Sequence, residues 1–106
     1  MIIKEVGARA VKDSRVEKTI EVSVNKIKAS SPSGKSTGIY ETNPYRKSLK
    51  WNVNFLNKTK EFDNLEINSF EDLEKIEKLL KKKLKLKNIK DFGANALFAF
   101  ESAILK

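Results

Sequence analysis

Ser31-Pro32-Ser33-Gly34-Lys35-Ser36-Thr37-Gly38 is the stretch on which the reading of this 106-residue chain turns. A proline, two glycines and four hydroxyls in eight residues make it a loop. With Ala29 it nearly spells a phosphate-binding loop: a small residue, four more, then Gly34-Lys35-Ser36. Such a loop curls backbone amides round a phosphate, with lysine on the outer phosphates and the hydroxyl on magnesium. It also needs a helix opening at Lys35, so that the helix N-terminus faces the anion. Here Gly38 and then Asn43-Pro44 would break that helix within two turns. The sequence before the loop reads as an antiparallel meander, not a parallel strand feeding a helix. The nucleotide-loop reading is therefore set aside, and with it a parallel α/β fold.

The meander is legible from period-two patterning. Residues 2–12 read as a strand with Ile2, Val6, Ala8 and Ala10 on one face and Glu5 and Arg9 on the other. Asp13-Ser14-Arg15 is a turn signal. Residues 18–24 alternate, with Ile20, Val22 and Val24 inward and Thr19, Glu21 and Ser23 outward, the mark of a half-buried antiparallel strand. Asn25-Lys26 is a tight reversal. Ile27 and Ala29 then continue inward, while Lys26 and Lys28 face water.

Beyond Pro44 the period changes to that of helices. One helix is predicted from Tyr45 to Glu61, with Leu49, Val53 and Leu56 on a stripe, Phe55 near its edge and Trp51 off it. A second starts at Ser69, where Asp72 completes a capping-box spacing. Its apolar positions are Phe70, Leu73, Ile76, Leu79, Leu80 and Leu84, and Glu71–Lys75, Glu74–Lys78 and Glu77–Lys81 are i,i+4 pairs. The last runs from Ala94 to Leu105, after Phe92-Gly93, and is almost wholly apolar; such a helix is buried on most sides. The fold class is α+β: a three-stranded antiparallel β-meander followed by three to four α-helices, in one domain spanning residues 1–106.

Composition narrows the chemistry. There is no histidine and no cysteine, so the commonest general base, the commonest metal ligand and any thiolate site are all missing. The acidic residues Glu5, Glu21, Glu41 and Asp91 are scattered and form no carboxylate cluster. No apolar run approaches the roughly 20 residues of a membrane span, and the N-terminus lacks the order of a signal peptide. The reading is a soluble cytoplasmic protein with no cofactor and no membrane partner. Net charge is +8 and charged residues make up 34%; the abundance of Lys and Glu resembles that of heat-adapted proteins. Lys78, Lys81, Lys82, Lys83, Lys85, Lys87 and Lys90 form a basic run that offers a polyanion patch. Its plainer reading is the solvated, dipole-favoured end of a helix, and no aromatic residue is interleaved for base stacking.

Four blocks in order resemble the N-terminal domain of enolase: residues 6–15 (Val-Gly-Ala-Arg-Ala-Val-Lys-Asp-Ser-Arg), residues 19–22 (Thr-Ile-Glu-Val), residues 32–41 (Pro-Ser-Gly-Lys-Ser-Thr-Gly-Ile-Tyr-Glu) and residues 92–96 (Phe-Gly-Ala-Asn-Ala). The resemblance covers essentially the whole chain, and Asn57-Lys58-Thr59 fits the family's first long helix. It implies a meander plus helices that precede a large barrel, and the barrel carries the magnesium carboxylates and the lysine base. Such a barrel takes roughly 250 residues. The chain's end at Lys106 leads to the expectation of a non-catalytic domain, not an enzyme. In the family the Ser-Gly loop closes over substrate and one of its serines ligates magnesium; the matching residue is Ser36, which is not expected to function alone. Lys35 replaces a small residue of the family and would repel a metal ion. Gly34, Lys35, Ser36 and Thr37 then make an anion or partner loop. Arg15 matches an arginine of the family's dimer contacts, although the turn after it is rebuilt as Val16-Glu17-Lys18.

Two functions follow as expectations. The first is an interaction or oligomerisation module, with a homo-oligomer or a protein partner covering an apolar face. The alternative is a basic protein associated with RNA or the ribosome.

Overall fold

The computed structural model describes residues 1–12, 18–31 and 44–106. Three strands, β1 (Val6–Lys12), β2 (Lys18–Val24) and β3 (Ile27–Ser30), form an antiparallel sheet in the order β1-β2-β3. Helices α1 (Leu49–Lys58), α2 (Leu73–Leu84) and α3 (Ala94–Leu105) follow, with short 3-10 turns at Phe70–Asp72 and Ile89–Phe92. The α+β arrangement read from the sequence is the one observed. Among the described residues no helix is long and apolar enough to cross a membrane.

The core begins at β2. Alternation sends Ile20, Val22 and Val24 to one face, and all three are fully buried. Helix α3 lies against β2 and β3 and contributes Ala96, Ala99, Phe100 and Ala103 to the same core. Three alanines let the helix approach the sheet closely, while Phe100 reaches Phe62 edge-on at 5.0 Å. The β2–β3 reversal has Asn25 at φ 52° and Lys26 at φ 71°, the two positive values of a type I′ hairpin turn.

Helix α1 closes the free edge of β1. The Asn57 amide accepts from Ala8 N at 2.8 Å and donates to Ala8 O at 2.9 Å. Those are the two bonds a neighbouring strand would have made, so a side chain satisfies the sheet edge.

Several local expectations give way to longer-range bonds. The first strand does not start at Ile2. Met1–Ile3 pairs instead with the segment before α2, through Ile3 N to Leu65 O at 2.9 Å and Ile67 N to Met1 O at 2.8 Å. The Asn25 side chain accepts from Lys4 N and Glu5 N and donates to Ile2 O. The kink reverses the parity: Ile3 is buried and Ile2 is exposed. Thr19 is buried, not outward, because its hydroxyl donates to Ser31 O at 2.7 Å and accepts from Tyr45 Oη at 3.4 Å. Ile27, expected inward, is exposed at the hairpin tip. Ala10 is exposed as well.

Helices α1 and α2 start later than their periodicity implies. Ser48 caps α1 by accepting from Trp51 N at 3.0 Å, and Lys47 before it sits at φ 61°, so the chain cannot be helical from Tyr45. Before α2, Ser69 makes no side-chain cap. Asp72 accepts from Asn68 N at 2.8 Å instead, and this bond, opposed by partial burial, holds its carboxyl below the usual range. Phe70, in the 3-10 turn, is 69% exposed. Lys75 pairs with Asp72 at 3.5 Å rather than with Glu71. Leu73, Ile76 and Leu80 do face the core, and α3 has the bounds expected.

One buried amide joins these parts. Asn52, fully buried on α1, accepts from Arg46 N at 2.8 Å and donates to Phe92 O at 2.9 Å. Next to Phe92, Gly93 has φ 107°, and a Cβ there would lie 2.6 Å from Tyr45 Cα and 2.8 Å from Arg46 N. Both the backbone angle and the space exclude a side chain. Gly93→Ala should therefore cost about 2 to 4 kcal/mol, from positive-φ strain plus a clash with backbone that cannot rotate away. Urea unfolding measures this directly.

Candidate functional site

The residues of the predicted anion or partner loop, Gly34, Lys35, Ser36 and Thr37, lie outside the described residues, as do Arg15 and Glu41. The loop's root is described. Ser31 is buried, its N–H donates to Ile20 O at 3.3 Å, and its carbonyl accepts from Thr19 Oγ1. The loop therefore leaves from a fixed point on β2 and β3. Among the described residues no three acidic side chains converge to hold a metal ion.

The basic run occupies the second half of α2 and the turn after it. Lys78, Lys81, Lys82, Lys83, Lys85, Lys87 and Lys90 are all exposed. Lys85 ends the helix in the left-handed conformation at φ 56°. The run does not act as one face. Lys83 turns toward Glu61, at 3.4 Å, and joins the wall of a groove of about 640 Å³ with Trp51, Asn54, Phe55, Lys58, Thr59 and Lys60.

Aromatic rings that are absent from the run in sequence thus sit beside it in space. Trp51 and Phe55 are one turn apart on α1, with ring planes 5° from parallel and centroids 5.4 Å apart. Phe55 also meets the edge of buried Phe92 at 5.8 Å, which anchors the pair to the core. The Arg46 guanidinium and the Lys47 ammonium lie 5.5 and 5.8 Å from the Trp51 ring centroid, within cation–π range. The sequence signal was the i,i+4 spacing of Trp51 and Phe55 followed by Lys58.

A second groove, of about 320 Å³, lies between the start of α2 and the end of α3. Its apolar lining is Phe70, Leu73, Phe98 and Leu105, and Glu71, Glu74, Glu77 and Glu101 surround it. Phe70, Phe98 and Leu105 are 69%, 54% and 52% exposed. No carboxylate cluster is legible in the sequence, yet the fold brings Glu77 of α2 beside Glu101 of α3. Burial first, and then the Glu77 carboxyl beside it, push the Glu101 carboxyl up to about 8. Glu101 Oε2 is buried without a hydrogen-bond partner among the described residues.

The consequence for stability has a definite sign. Glu101 binds its proton more tightly when folded, so stability falls as pH rises from about 4.5 toward about 8, the folded state holding the extra proton. Glu101→Gln should abolish this slope. Its urea midpoint should match the parent at acid pH and exceed it in mild alkali.

The two grooves share no residue and differ in charge. They are carried by a meander whose free edge is covered by α1 and whose core face is covered by α3. The family model for the enolase N-terminal domain matches residues 3–106, which is essentially the whole chain. Its span takes in every strand and helix described above, and the chain belongs to the enolase N-terminal domain family.

Proposed function

We propose that this domain is an interaction module, without catalytic turnover of its own, that self-associates through the groove between α2 and α3. The observation that carries the reading is the trio Phe70, Phe98 and Leu105, each more than half exposed on one surface. Single exposed apolar residues are ordinary, but a grouped set marks an interaction surface. Covering each would recover on the order of 1 kcal/mol or more.

The charge pattern of α2 supports a second copy as the cover. Its entry carries Glu71, Glu74 and Glu77, and its exit carries Lys81 and Lys85 beside the half-buried Leu84 and Leu86. A two-fold axis perpendicular to α2 would set the helix antiparallel to its mate. The acidic entry of each would then face the basic, partly apolar exit of the other, as a self-complementary interface requires. In the family the proton-abstracting lysine and the metal carboxylates belong to the barrel, so the reading asks no chemistry of this domain.

Light scattering on a size-exclusion column tests it. At high micromolar concentration the chain should elute at twice its mass and dissociate as salt rises. Phe70→Ser with Phe98→Ser should be monomeric with unchanged circular dichroism. A parent that stays monomeric at every concentration would sink the proposal, and capture of a different protein on this groove would replace the second copy with that partner.

A further inference from the structure

The groove on α1 meets two requirements that the lysine run alone does not. Non-specific single-strand binding combines cations that follow a phosphate backbone with aromatic faces on which bases stack. Trp51 and Phe55 provide aromatic surface, both half-buried so that part of each ring reaches solvent. Lys58, Lys60 and Lys83 stand round them in the same groove, whose one acidic lining residue, Glu61, is already engaged by Lys83 at 3.4 Å. Lys47 adds a further cation 5.8 Å from the Trp51 centroid. The volume, about 640 Å³, falls within the range of roughly 300–1,000 Å³ typical of ligand sites.

A bare solvated surface and other classes of ligand account for less of this geometry. A solvated lysine face suits Lys78 and Lys82, which lie outside the groove, but not cations gathered about a tryptophan. A duplex hides its base faces and gives the rings nothing to stack on. An acidic peptide would use the lysines and leave the aromatic pair idle.

We infer that this groove binds single-stranded nucleic acid, with a base against the Trp51–Phe55 pair and backbone phosphates on Lys58 and Lys60. The site is separate from the groove between α2 and α3, and it stands whether or not the domain self-associates.

The chain's single tryptophan is the probe. Titrating the whole chain with a short oligouridylate should quench Trp51 emission to saturation. Affinity should fall with added salt, with a log–log slope of about −0.7 for each phosphate neutralised. Lys58→Glu with Lys60→Glu should weaken binding of a fluorescently labelled oligouridylate by about tenfold or more. Lys78→Glu with Lys82→Glu imposes the same charge change outside the groove and should weaken it by less than about threefold. All four lysines are exposed, so both variants should keep the parent's circular dichroism. Absence of quenching would overturn the inference. So would equal weakening by the two variant pairs, or displacement of the oligonucleotide by inorganic polyphosphate at equal charge concentration, which would mark a polyanion surface without base stacking.

Discussion

The Asn52 side chain is the interaction on which the helical half depends. Its amide takes the N–H of Arg46 and gives a hydrogen to the carbonyl of Phe92, joining three segments at one buried point. The chain from Pro44 to Lys47 is held against the entry to α3, where Asn95 N also donates to Pro44 O at 2.9 Å. Gly93 allows the approach because it alone can take that backbone angle without touching Tyr45. Both grooves inherit their shape from this arrangement. The backbone of Arg46 fixes where its side chain meets Trp51, and the path through Gly93 sets the axis of α3, hence where Phe98 and Leu105 emerge.

Elements decided by their own residues were legible in the sequence. Alternation in β2 places Ile20, Val22 and Val24 in the core, and the apolar run after Gly93 marks out α3. Elements decided by distant partners were not. No local signal tells that residues 1–3 will bond to residues 64–67, which turns Ile3 inward in place of Ile2. Thr19 reads as a surface position until Tyr45 and Ser31 arrive to satisfy its hydroxyl. Serine at position 69 has the spacing of a capping box, yet Asp72 bonds one residue further back, to Asn68, and the first turn stays a 3-10 turn.

The grooves follow the same division. The lysine run is visible as composition, but its aromatic complement lies on α1 and becomes its neighbour only in the fold, where Lys83 reaches Glu61 just after α1. The Glu77–Glu101 pair is likewise invisible in a chain where each glutamate sits on a different helix. Segregation of charge is therefore a product of packing: an overall charge of +8 coexists with a groove walled by four glutamates. One domain thus presents an acidic apolar surface and a basic aromatic one, which suits different partners.

The central claim, that a buried amide organises this half of the fold, is best tested by urea unfolding of Asn52→Ala beside Asn57→Ala. Both asparagines bond a backbone N–H and a backbone carbonyl, but Asn52 is fully buried and Asn57 is exposed. Loss of Asn52 leaves two backbone groups desolvated and unpaired, which should cost about 3 kcal/mol or more. Loss of Asn57 exposes its partners to water and should cost about 1 kcal/mol. Equal costs, or a smaller one for Asn52, would contradict the account.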